Sequence, residues 1–217
     1  MLKNIARYPV TYGLIIINTI IYLISASISH NFLDMNTQVL FDMGATYGPK
    51  ILLDGEWWRL FSAMFLHAGI IHLSMNMYSL YIVGKGVDSY FTSLQYLVIY
   101  LFSGIFGTLL SLSVHSDTLG VGASGAIFGL LGALAGFFLV HKKEIAKQSR
   151  AFFGTFGSVI ALNLFIGLSV PNIDMSAHIG GLIAGFLGGY LISKNSKNIW
   201  IYIILSIFII LGIIRYL

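Results

Sequence analysis

Leu119-Gly120-Val121-Gly122-Ala123-Ser124-Gly125-Ala126-Ile127-Phe128-Gly129 opens an apolar run that reaches Val140 without a charged residue. Small residues flank one hydroxyl on both sides. Gly122 and Gly125 allow a sharp turn into a helix and the close approach of a second backbone. A serine at a helix start presents its Oγ beside the unpaired N–H groups of the first turn. That arrangement suits a nucleophile with an anion site next to it. Gly, Ala and Ser are also the ordinary packing residues of membrane helices, so any chemistry needs partners from elsewhere in the chain.

Composition sets the class. Of 217 residues, 57% are hydrophobic and 9% charged, with a mean hydropathy of +0.88, whereas a soluble domain carries about a quarter charged residues. The chain reads as an all-α membrane protein, one polytopic helix bundle and a single transmembrane domain over 1–217, with no room for a separate soluble domain. Its net charge of +4 is explained by orientation in a membrane and implies no nucleic-acid partner. The absence of cysteine removes disulfide and thiol chemistry.

Seven runs have about the length that crosses a bilayer, near 20 residues: about 10–28, 66–84, 91–114, 119–140, 151–170, 175–193 and 198–214. They are continuously apolar and do not alternate, which favours helices over a barrel. The first run lacks a small-residue cleavage site and is expected to be a retained span. With the N-terminus in the cytoplasm, Lys3, Arg7, Lys85, Lys142, Lys143, Lys147, Arg150, Lys194 and Lys197 lie inside, and Lys50, Arg59 and Arg215 outside. The bias of basic residues to the inner side supports that orientation.

The connection 29–65 lies outside and is long. Asp34, Asp42, Asp54 and Glu56 bar it from spanning, while Ile51, Leu52, Leu53, Trp57 and Trp58 make it more than a solvated linker. It is expected to be interfacial, with tryptophans at headgroup level and Arg59 anchored to lipid phosphate or to carbonyls at a helix end.

Polar side chains inside spans are costly and mark function. His72 and Asn76 stand at i and i+4 on one face of the second span. His178 opens the sixth in Ala177-His178-Ile179-Gly180-Gly181. The second, fourth and sixth spans all descend from the outer side, and at about 1.5 Å per residue His72, Ser124 and His178 lie roughly 5–10 Å below the outer boundary. Gly125, Gly129, Gly132 and Gly136 in the fourth span, and Gly181, Gly185, Gly188 and Gly189 in the sixth, predict close packing of these two helices. That packing brings Ser124 and His178 within hydrogen-bond reach.

Gly122-Ala123-Ser124-Gly125, with Ala177-His178 two spans later and His72-x-x-x-Asn76 two spans earlier, resembles the rhomboid family of intramembrane serine proteases. The resemblance takes in Trp58-Arg59 in the outer loop and Gly181-x-x-x-Gly185 after the histidine. It implies a Ser–His dyad of Ser124 and His178, and an oxyanion hole from His72, Asn76 and the Ser124 N–H. Phe128 takes the place of a ring often stacked on the dyad histidine, and His67 matches a histidine seen before the second span. The family core has six spans, so the seventh looks like a C-terminal addition. Substrates would be transmembrane proteins entering from the lipid, no cofactor is implied, and a bacterial plasma membrane is the expected location. Asp174, four residues before His178, reads as a loop charge and not as a third member.

Three other readings compete. A metal-dependent hydrolase using His67, His72 and His178 lacks a His-Glu-x-x-His motif, and its first two histidines are five apart, on different helix faces. A non-catalytic relative that binds membrane clients would lack the serine or the histidine, and both are present. A transporter would be expected to show an inverted repeat, and none is visible.

Overall fold

The computed structural model describes residues 6–154, 156 and 174–216. The fifth predicted span, 151–170, lies outside the described residues beyond its first turn, as do Lys3 and Pro171. The elements in order are α1 Pro9–Ser29, α2 Thr37–Asp42, α3 Gly48–Leu52, α4 Arg59–Ser62, α5 Ile70–Tyr90, α6 Ser93–Val114, α7 Ser124–Val140, α8 Met175–Lys194 and α9 Ile199–Tyr216. Residues 146–154 are also helical, and no strand longer than an isolated bridge occurs among the described residues. The chain is an all-helical, multi-pass membrane bundle.

By length and composition α1, α6, α8 and the segment Ser196–Tyr216 can each cross a membrane. Two helix starts and one end differ from the sequence expectation, the helix of the second run continuing to Tyr90 and not stopping at 84. The second span starts at Ile70 and not at 66, because Ala63–Phe65 forms a tight 3-10 turn. The chain then bridges to Asp34 at Gly69, with Met35 N donating to Ala68 O (2.8 Å) and Ile70 N to Leu33 O (2.9 Å). The fourth span starts at Ser124 and not at 119. Residues 119–123 are apolar yet not helical: Gly120 bridges to Thr46, and Gly122 has φ +128°. Irregular backbone at membrane depth is tolerated where protein covers it, which is why an apolar run here is not all helix.

The outer connection is folded against the bundle. Ile51 and Leu60 pack with Leu109 and Leu112 of α6, and Met35, Leu40 and Ala45 with Tyr22, Leu66 and Leu73. Arg59, 4% exposed, holds this region together. Its Nη1 donates to Phe41 O (2.6 Å) and Ala45 O (3.0 Å), and its Nε to Glu56 Oε2 (2.6 Å). Carbonyls therefore take the guanidinium, and lipid phosphate does not.

α8 packs most heavily on α7, and the glycines explain why. A Cβ on Gly181 would collide with the Gly125 carbonyl, one on Gly185 with the Gly129 carbonyl, and one on Gly189 with the Ala133 backbone. Small residues remove those atoms and let the two backbones touch. Gly188 does not belong to this seam: it faces the Tyr202 ring of α9, with 2.8 Å from its would-be Cβ to Cζ.

Candidate active site

Ser124 is the first residue of α7, His72 the third of α5 and His178 the fourth of α8. All three occupy the N-terminal ends of their helices. α7 has 17 residues, about 25 Å of helix against a hydrocarbon core near 30 Å. A helix that short starts below the surface when its other end reaches the far boundary.

The backbone of α8 meets that of α7 at the start of both helices. The Ala177 carbonyl stands 3.2 Å from the position of a Cβ on Gly125, and 2.6 Å from one on Gly107 of α6. Ala177 precedes His178, and Gly125 follows Ser124, so the close approach flanks the serine and the histidine. One turn further along α7, the Phe128 ring stacks on the His178 imidazole, with centroids 4.2 Å apart and planes at 7°. Ser124 and Phe128, four apart, share that helix face.

On the other side of the serine, α5 closes in on the turn that leads to it. A Cβ on Gly122 would lie 2.8 Å from His72 Nε2 and 3.7 Å from Asn76 Nδ2. Gly122 is thus required twice, by its positive φ and by the space these side chains occupy. Asn76 is 6% exposed, and its Nδ2 is buried without a partner among the described residues. An amide donor held dry and unspent can receive negative charge. His178, 8% exposed, likewise has a buried Nδ1 without a partner among the described residues.

The remaining predicted residues do other work. Gly181 and Gly185 line the α7–α8 seam, and Arg59 anchors the outer loop. Trp58 is half-exposed beside it, its ring 4.9 Å from Arg59 Cζ. His67 is fully buried, edge-on to His72 at 5.2 Å. Asp174 is not a loose loop charge: its Oδ1 accepts from Ala177 N at 3.1 Å and caps α8, which satisfies an orphan donor of the first turn. No group of three or more His, Asp or Glu suited to a metal occurs among the described residues.

Sequence reasoning missed how the turn before Ser124 is held. Thr46 N donates to Gly120 O (2.9 Å) and Gly120 N to Thr46 O (3.0 Å), while Gly122 N donates to Ala63 O (2.9 Å). Nothing in a single sequence pairs these backbones. Gly107 was legible in principle, because Ser103, Gly104 and Gly107 repeat small residues along α6.

A family model described as the rhomboid domain matches residues 54–195. The chain belongs to the rhomboid family. The matched segment contains every candidate site residue from Trp58 to Gly185, while Thr46, α1 and α9 lie outside it. Among curated relatives, the mitochondrial RHOMBOID-like protein 6 of Arabidopsis thaliana is 40% identical over 169 residues, 78% of this chain and 54% of that protein. The rhomboid protease GluP of Bacillus subtilis is 43% identical over 155 residues, 70% of this chain but 29% of that protein. The putative rhomboid protease YdcA of the same bacterium is 31% identical over 196 residues, 89% and 94% of the two chains. The chain thus matches about half or less of the first two relatives and nearly the whole of the third.

Proposed function

We propose that the chain is an intramembrane serine endopeptidase, cutting peptide bonds in or near transmembrane segments of other membrane proteins. The reading is carried by the approach of Ala177 to Gly125, with Phe128 stacked on His178. Membership of a family that contains named rhomboid proteases supports it. Ser124 Oγ adds to the scissile carbonyl carbon as His178 takes the hydroxyl proton. The oxyanion that forms is met by the Ser124 N–H, the Asn76 amide and the His72 ring. The C–N bond then breaks, His178 gives its proton to the leaving amine, and a water repeats the sequence on the ester. Among the described residues no carboxylate accepts from the His178 Nδ1; the Phe128 ring holds the plane of the imidazole.

The whole of 1–217 acts as one transmembrane domain, in a bacterial plasma membrane, with the N-terminus cytoplasmic and the site open to the outer side. The bias of basic residues supports that orientation. Substrates enter from the lipid, and they need helix-weakening residues near the outer boundary, since an intact helix has its backbone bonds made. The test is labelling of detergent-solubilised protein by a fluorophosphonate. Wild-type protein is labelled, and Ser124→Ala is not. Equal labelling of Ser124→Ala would remove the proposed nucleophile.

A further inference from the structure

At the end of the bundle away from Ser124, two cations converge on one aromatic ring. Arg7 Cζ lies 5.3 Å from the Tyr8 ring centroid, and Lys85 Nζ, from α5, lies 5.8 Å from the same ring. Lys85 Nζ also sits 3.8 Å from the Tyr81 ring, and Tyr81 meets Tyr12 edge-on at 6.3 Å. Three tyrosines and two cations from the start of α1 and the end of α5 thus form one cluster.

The acid nearest in the sequence, Asp88, makes no ion pair with either cation. Asp88 Oδ2 accepts from Thr11 N (3.0 Å) and Thr11 Oγ1 (2.6 Å), so this carboxylate caps α1. The ion pairs among the described residues join Lys50 to Asp54 and Glu56, and Arg59 to Glu56; neither Arg7 nor Lys85 takes part. Two cations gathered at one ring repel each other, and an anion between them turns that repulsion into attraction.

We propose that this cluster is a binding site for the phosphate of an anionic phospholipid headgroup, held by Arg7 and Lys85 at the Tyr8 ring. Lys85 is 13 residues past His72 on α5, about 20 Å along the helix. With His72 beneath the outer boundary of a core near 30 Å thick, Lys85 stands at the inner headgroup region. Tyrosines favour that level because one end of the ring is apolar and the other polar. From the cluster toward the bilayer centre, Ile16 and Ile20 continue the Tyr12 face and Tyr78 continues the Tyr81 face; all three are exposed and offer cover to acyl chains. The assignment to the inner leaflet rests on the orientation proposed above, while binding itself depends on neither that nor catalysis.

The test is native mass spectrometry of the full chain released from detergent, with dioleoyl phosphatidylglycerol or dioleoyl phosphatidylcholine as probe. Wild-type protein retains phosphatidylglycerol in preference. At about 1 kcal/mol per basic residue near an anionic surface, Arg7→Gln and Lys85→Gln each lower that affinity roughly fivefold, and Arg7→Ala/Lys85→Ala roughly thirtyfold. Arg7→Lys/Lys85→Arg keeps it, and Lys142→Ala/Lys143→Ala, at the same side of the membrane, leaves it unchanged. The glutamine variants keep the side-chain stems and report even where the double alanine fails to fold. Equal retention by the wild type and the glutamine variants would overturn the proposal, as would no preference for phosphatidylglycerol. Displacement of bound lipid by millimolar inorganic phosphate would overturn the lipid assignment in favour of free phosphate.

Discussion

The Phe128 ring lies flat on the His178 imidazole, centroids 4.2 Å apart and planes 7° from parallel. Phe128 belongs to the helix that Ser124 begins, so one rigid element carries the proposed nucleophile and sets the plane of its proposed base. An aromatic pair of this kind contributes about 0.5–1.5 kcal/mol beyond its area. Phe128→Ala is expected to lower kcat roughly two- to tenfold with little change in KM, measured on a single-span model substrate. Phe128→Tyr should retain most of the rate.

Asn76 makes a more direct test of the proposed oxyanion site. Its Nδ2 is buried and without a partner among the described residues, so removing that donor strands no acceptor among them. Asn76→Ala is expected to lower kcat about a hundredfold or more, the usual loss for one oxyanion donor. Its thermal unfolding in detergent should match the wild type. A loss of rate that comes with a lowered Tm would point to a structural role instead.

The α7–α8 seam should be intolerant of a single methyl group. Gly181→Ala and Gly185→Ala place Cβ against the Gly125 and Gly129 carbonyls, and backbone cannot swing aside as a flexible side chain can. Overpacking of this kind costs about 1–3 kcal/mol or more, read as a lowered Tm. Gly13 and Gly212 have nothing within 4 Å of a would-be Cβ. Gly13→Ala and Gly212→Ala should hold or raise the Tm, since Ala is the better helix former by about 1 kcal/mol.

The close packing of α7 on α8, and the stacking of Phe128 on His178 beside it, were legible because both depend on local facts. Ser124 lies between small residues, His178 sits in a Gly-rich segment, and glycine spacing says which helices touch. Gly188 shows the reach of that rule. It keeps the same spacing, yet its small size admits Tyr202 of α9. Hydropathy also misplaced two helix starts, at 66 and 119, because a loop packed against the bundle and a helix can be equally apolar. The pairing of Thr46 with Gly120, and the turn of Arg59 toward Phe41 and Ala45, join segments far apart in sequence. Such pairings leave no periodic trace.

Arg59 accordingly carries a stability prediction. Its guanidinium serves two carbonyls and the Glu56 carboxylate while almost fully buried. Arg59→Ala removes the guanidinium from all three acceptors, and breaking a buried charged network costs about 3–5 kcal/mol. Arg59→Lys, a point charge without the planar fork, should recover only part of it. Loss of folded yield and a lowered Tm are the expected results, with Trp58→Ala much milder because that ring is half-exposed.

The central claim is that Ser124 supplies the attacking oxygen. The most direct measurement is the initial rate of cleavage of a single-span model substrate, co-reconstituted with the protein in vesicles, for wild type, Ser124→Ala and His178→Ala. The account predicts cleavage by the wild type and only the uncatalysed background for both variants, with all three proteins showing the same Tm. Cleavage by Ser124→Ala at the wild-type rate would contradict it.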